Sequence, residues 1–332
     1  MNRESVKISI LDLAIVGEDD TPADAFAHSV RVAQRAEALD YRRVWYAEHH
    51  NMASIASSAT SVLIAHVAAH TSTIRLGSGG VMLPNHSPLV IAEQFGTLAT
   101  LHPDRIDLGL GRAPGTDHNT MQAMRVDAHT SDRFPEDIVE LRGYLQGESV
   151  VPNVKAVPGA GTNVPLYILG SSLYGAQLAA QLGLPYGFAS HFAPGQLLNA
   201  VALYRREFKP SDQLSDPYVI AGVNVIAADT DADAQQQFLD AKRRRVARFL
   251  QVPRKLTDAE ADEILASPQG RQIGEMVHYT AAGSPELVGR YLSNFAREAN
   301  VDELITVHHS LTIEQRLRSI ELLAEVHRRI VG

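Results

Sequence analysis

Residues 42–52, RRVWYAEHHNM, end a β-like run in a carboxylate and two adjacent histidines, Glu48, His49 and His50. Neighbours on a strand point to opposite faces, so both imidazoles cannot be ordinary core side chains unless the strand has ended. An imidazole in a pocket can hold or exchange a proton near neutral pH. Of the fourteen histidines, six (His49, His50, His86, His191, His308 and His309) fall at or just past the C-terminal end of an expected strand. Polar residues gather wherever strands meet loops, but a shared mouth for several of these six points to chemistry. A metal site is the first reading, since neutral imidazoles are common ligands. Metal-dependent barrel hydrolases present His-x-His from one strand, whereas this pair is adjacent and has few carboxylates near it, so no metal is expected.

A phosphate-bearing ligand fits better. Arg112 directly follows a strand, where a guanidinium can reach two phosphate oxygens. ILGSSLYGAQLAA (168–180) reads as an apolar strand, a Gly170-Ser171-Ser172 turn and an amphipathic helix. Free N–H groups at that helix start and two hydroxyls form an anion site, although a plain turn with an N-cap uses the same residues. In LGSGGVMLPNHSP (76–88), glycines that include Gly79 and Gly80 stand where a strand favours β-branched residues. They imply close approach of a ligand to the backbone, unusual peptide geometry, or a bulge at a rim.

Positioning these residues requires strands that end together. Strand patterns fall near 6–12, 42–47, 74–83, 105–111, 165–170, 185–189, 217–227 and 302–307. Helical patterns fill the gaps near 23–40, 59–70, 88–101, 136–146, 172–182, 195–208, 230–251, 285–298 and 312–330. Thr21-Pro22 with Asp24, Ser87-Pro88, Ser284-Pro285-Glu286, and Thr312 with Gln315 supply helix starts. Eight alternations predict a single-domain α/β chain over 1–332, a (β/α)8 TIM barrel, with catalytic residues at the C-terminal ends of its strands. An open dinucleotide-binding sheet would need a Gly-rich turn after an early strand, and GEDDTP does not supply one. Two long connections interrupt the alternation: a polar loop over 112–135, and an insertion over 252–283 after strand seven that reads as a mobile lid.

Composition sets the outer bounds. With 45% apolar and 20% charged residues, the 332-residue chain is an ordinary globular protein. A net charge of −8 argues against nucleic acid or an anionic membrane as partner. The absence of cysteine removes disulfides and thiolate chemistry. The early run ISILDLAIVG is broken by Asp12 and makes a poor signal peptide, so a cytoplasmic location is expected.

Together VWYAEHH, RLGSGGVMLP with HSPLVIAEQF, RIDLGLGRAPG and LGSSLYGAQLAA resemble the bacterial-luciferase-like flavin monooxygenases, over residues 5 to 325. The nearest resemblance is to the branch of unassigned luciferase-like oxidoreductases that carry the Gly-Ser-Ser turn. The resemblance implies a barrel that binds reduced FMN, delivered by a separate NAD(P)H:flavin reductase, and reacts it with O2. It assigns Arg112, Gly170, Ser171 and Ser172 to the FMN phosphate, and a cis peptide at Gly79-Gly80 to the place under the flavin ring. His49 matches a histidine needed for productive oxygen chemistry, with His50 and Glu48 beside it, and Leu11, His86 and His191 fall around the substrate pocket. Luciferases carry a reactive cysteine where this chain has Gly111, so light emission is not implied. Family dimers pack the helices after strands two and three, which suits the apolar SVLIAHVAAHT and a homodimer. Two other readings share the barrel: deazaflavin-dependent hydride transfer without oxygen, and a flavin-binding paralogue without turnover.

Overall fold

A computed structural model describes residues 6–113, 115–127, 129–250 and 256–331. Its strands are β1 (Lys7–Asp12), β2 (Arg43–Tyr46), β3 (Arg75–Met82), β4 (Ile106–Gly111), β5 (Leu166–Gly170), β6 (Tyr186–Phe188), β7 (Val219–Ala227), β8 (Thr280–Gly283) and β9 (Glu303–His308). The first six helices are α1 (Pro22–Ala38), α2 (Thr60–Ala68), α3 (Pro88–Leu101), α4 (His118–Ala123), α5 (Phe134–Gln146) and α6 (Leu173–Leu182). The rest are α7 (Leu197–Glu207), α8 (Asp231–Phe249), α9 (Asp258–Ala266), α10 (Pro268–Met276), α11 (Pro285–Glu298) and α12 (Ile313–Val331).

Every ladder is parallel. The order runs β6-β5-β4-β3-β2-β1-β9-β7, and β6 pairs back onto β7, so eight strands close a TIM barrel. The expected fold class is therefore the observed one. The start signals divide. Thr21 and Asp24 form a capping box on α1, and Thr312 with Gln315 exchange the same pair of bonds at α12. Ser87 and Ser284 make no side-chain cap, so at α3 and α11 the proline at the helix start carries the signal alone.

β8 is a ninth strand that lies within the expected insertion. It pairs with Asn224–Ala227 of β7, on the side where short β6 has ended. Where the sequence suggests a polar lid with one amphipathic stretch, the described residues from 256 onward form α9, α10 and β8. α9 is tied back to α8 by Arg243, which donates to Asp262 at 2.6 and 2.8 Å and to Asp258 at 2.9 Å. The 112–135 loop likewise contains α4 and a 3-10 turn over Thr130–Arg133. Arg243→Ala removes the ion pairs that tie α9 back to α8. Limited proteolysis should then cut faster between residues 256 and 276, and unchanged cutting would mean that other contacts hold the segment.

Side chains alternating inward fill the barrel. Leu11, Trp45, Ala47, Tyr167, Ile220, Ile305 and Val307 form one buried group. Below it, the floor is ionic. The Arg43 guanidinium, fully buried, donates to Asp107 Oδ2 at 2.6 Å, to Tyr167 Oη at 2.7 Å and to both oxygens of Glu303 at 2.9 and 3.2 Å. Trp45 Nε1 also donates to Asp107, and the hydroxyls of Ser9 and Tyr218 donate to Glu303. Among the described residues no helix is long and apolar enough to cross a membrane.

Candidate active site

The mouth of the barrel is built from strand ends. Arg43, Trp45 and Ala47 of the β2 run face inward, so His49 is the next inward position. Its backbone N–H donates to Ser57 O at 3.1 Å, and its ring stands close enough to His191 to disfavour a charge there. Glu48 points the other way and is 1% exposed. Its Oε1 receives Nε2 of both His50 and His86 at 2.9 Å and Nδ2 of Asn85 at 3.3 Å, while Oε2 receives the Met82 N–H at 3.0 Å. A carboxylate thus ties the end of β2 to the turn after β3.

Burial alone would push the Glu48 carboxyl up. The bonds from His50 and His86 outweigh it and hold the group at about 2. Because the folded value lies below the ordinary 4.5, Glu48 stabilises the fold fully above about pH 4.5 and loses that contribution as pH falls through about 2. The shift corresponds to roughly 3 kcal/mol. The stability gap between wild type and Glu48→Gln, read from urea unfolding, should be widest at pH 6 and should shrink between pH 4.5 and 2. A gap that does not change with pH would show that the ionised form is not what the hub uses.

The β3 glycines form a bulge. Register shifts between Ser78 and Val81, so Gly79 and Gly80 oppose only Gly109, and the Gly79–Gly80 peptide is cis. Side chains are excluded here: a Cβ on Gly79 would lie 2.7 Å from Leu11 Cδ1, and one on Gly80 2.8 Å from Gly109 O. Leu11 is therefore packed inside the barrel beneath this bulge. The long loop after β4 closes against the same hub. Gly115, with φ of +66°, accepts from the His50 N–H at 3.4 Å, and Asn51 donates to Asp117 at 3.1 Å.

Neighbouring β4 and β5 bring Arg112 and the Gly170-Ser171-Ser172 turn together. The exposed Arg112 guanidinium lies over the Tyr174 ring at 4.4 Å, on the first turn of α6. Among the described residues no carboxylate pairs with Arg112. Ser172 is the N-cap by position, yet its side chain makes no cap bond, which leaves the first N–H groups of this ten-residue helix available.

His191, after β6, is buried, and its Nδ1 lies 2.3 Å from where a Cβ of Gly222 would stand. The ring therefore occupies the barrel space that this glycine vacates. Burial first, then Arg245 and His49, push its pKa down to about 3, so it is neutral at physiological pH. His308 is a correction to the shared-mouth reading. Val307 is the inward residue, so His308 turns outward, bonded to Thr306 Oγ1 at 3.1 Å and Ser319 Oγ of α12 at 2.8 Å. Asn85, which donates to Glu48, is a polar group at the mouth that the sequence did not single out. Among the described residues no three His, Asp or Glu side chains are grouped so as to hold a metal ion.

A family model described as luciferase-like monooxygenase matches residues 6–303. A luciferase-like monooxygenase of Escherichia coli (strain K12) is 46% identical over 342 residues, covering 100% of both chains. N-acetyl-S-alkylcysteine monooxygenase of Bacillus subtilis (strain 168) is 35% identical over 255 residues, 73% of each chain. The crystal structure of apo-MsnO8 matches with a TM-score of 0.88 at 36% identity, covering 97% of this chain and 98% of that one. With its closed barrel and the residues gathered at its mouth, the chain is an enzyme that belongs to the luciferase-like monooxygenase family.

Proposed function

We propose that the protein is a monooxygenase that uses reduced FMN and O2 on a small organic substrate. The observation that carries this reading is the anion cradle at the ends of β4 and β5. A guanidinium without a carboxylate partner, the open N-terminus of α6 and two serine hydroxyls make a donor set that fits a phosphate monoester. Arg112, Gly170, Ser171 and Ser172 would hold the phosphate, and Gly79 and Gly80 would offer bare backbone to the ring system. When bound in reduced form, FMN supplies the two electrons that activate O2.

The chain's own residues supply proton control. An ionised carboxylate can only accept, so His50 and His86 each carry a proton on Nε2 and donate it to Glu48. His49, facing inward, is the group placed to hold or give a proton at the reacting oxygen. Leu11, Trp45 and Tyr167 wall off water below. The likeness to the Bacillus subtilis enzyme makes thioether acids the first substrates to try. A separate reductase would deliver the reduced flavin in a cytoplasmic setting. Exposed Val62 on α2 and Val90 and Leu101 on α3 support a homodimer through those helices.

Arg112→Ala should weaken FMN binding by about 1.5–3 kcal/mol, the range for a charge-assisted hydrogen bond. Riboflavin, which lacks the phosphate, should bind wild type and variant alike. Riboflavin binding to wild type as tightly as FMN would overturn the cradle.

A further inference from the structure

Arg112 follows β4 directly and is exposed, and an exposed arginine samples many rotamers unless something holds it. Among the described residues no carboxylate pairs with it. The holder is an aromatic face: the guanidinium carbon stands over the Tyr174 ring, 4.4 Å from its centroid. A cation held on a ring face keeps its N–H donors, which lie in the guanidinium plane, free for another partner. A bidentate carboxylate would have occupied a pair of them.

The backbone that carries this ring is fixed from behind. Tyr174 lies in the first turn of α6. Tyr186 of β6, fully buried, donates from its hydroxyl to the Ser172 carbonyl at 3.0 Å. Gly175 lets the same turn lie against that tyrosine: a Cβ there would stand 3.4 Å from Tyr186 Cε2 and 3.8 Å from Gly170 Cα. The start of α6 is thus packed onto β5 and β6. The Tyr174 ring, by contrast, is 40% exposed and belongs to none of the buried apolar groups of the core, so packing does not account for it.

We propose that Tyr174 is a positioning residue for the cofactor phosphate: its ring face sets the Arg112 guanidinium in advance beside the start of α6, where a phosphate monoester would bind. Rotamer freedom already lost in the free protein does not have to be lost on binding. A ring is also neutral, so it holds the cation without adding a charge that repels a phosphate dianion. The effect is confined to ligands that carry the phosphate, and it passes through Arg112. The inference deepens the flavin reading and rests on the cradle for the identity of the ligand, but its test does not require turnover.

Oxidised FMN and riboflavin are each titrated by the quenching of flavin fluorescence, and FMN again with inorganic phosphate as competitor. Tyr174→Leu and Tyr174→Gln keep a helix-forming side chain without a ring face. Both should weaken FMN about three- to tenfold, weaken competition by phosphate by a similar factor, and leave riboflavin unchanged. Tyr174→Phe, which keeps the face, should stay within about twofold of wild type. In an Arg112→Ala background Tyr174→Leu should cost no further FMN affinity, because the ring acts through the guanidinium, a result that a merely structural role would not give. The assignment is overturned if Tyr174→Leu and Tyr174→Gln leave FMN affinity unchanged while Arg112→Ala lowers it, and the cradle then stands without Tyr174. It is overturned equally if those variants weaken riboflavin as much as FMN, or if their effect adds in full to that of Arg112→Ala. FMN that binds wild type no tighter than riboflavin would overturn the cradle, and this assignment with it.

Discussion

His49→Ala is expected to lower oxygen transfer to substrate by roughly 10²–10⁴, the range for loss of a positioned general acid or base. FMN affinity should stay within about threefold, under about 0.7 kcal/mol. The separation follows from position. The anion cradle is built on β4, β5 and α6, whereas His49 comes from the end of β2 and faces inward beside His191. His50 is bound to Glu48 and stands on the hub. His50→Ala should therefore act more weakly, by loosening the turn after β3 through Glu48. Coupled product formation per reduced flavin consumed measures both. An unchanged coupling ratio in His49→Ala with a collapse in His50→Ala would give the proton role to the other neighbour.

Arg43→Met should destabilise the protein by about 3–5 kcal/mol. The substitution preserves bulk but leaves Glu303 and Asp107, both fully buried, without their shared cation. Arg75 and Trp45 still reach Asp107, and Tyr218 still donates to Glu303, so the loss belongs at the lower end if the floor relaxes. Urea unfolding at pH 7 measures it. A change below 1 kcal/mol would mean that the ionic floor contributes specificity of strand pairing and little stability.

This floor was hidden in the sequence, because its members lie far apart. Arg43 meets Asp107 across 64 residues and Glu303 across 260. In RRVWY an arginine reads as a strand margin. Only barrel closure places it at the centre of a ring of strands. The barrel itself was legible, since apolar runs covered on both faces alternate with amphipathic helices along the whole chain. β8 was not: TAAG is four small residues with no β-branched run, and it forms only because β6 ends early and leaves one side of β7 open.

At the site, residue type and position at strand ends picked out Glu48, His49, His50, His86 and His191, and the structure gathers them around one mouth. It also shows what strand position could not, that Glu48 is a buried hub receiving two imidazoles on one oxygen. His308 was misplaced by counting strand ends without following alternation. The inward series Glu303, Ile305, Val307 already sends it outward.

The central claim, oxygen-atom transfer at a reduced FMN site, is tested most directly with ¹⁸O2. Wild-type protein is loaded with reduced FMN without air, mixed with ¹⁸O2 and a panel of thioether acids, ketones and aldehydes, and the products are weighed by mass spectrometry. One labelled oxygen atom should appear in the product and the other in water, with one reduced flavin consumed, and the labelled product should disappear in His49→Ala. Reoxidation of the flavin with all label in hydrogen peroxide, or anaerobic turnover with a reduced deazaflavin and none with FMN, would contradict the account.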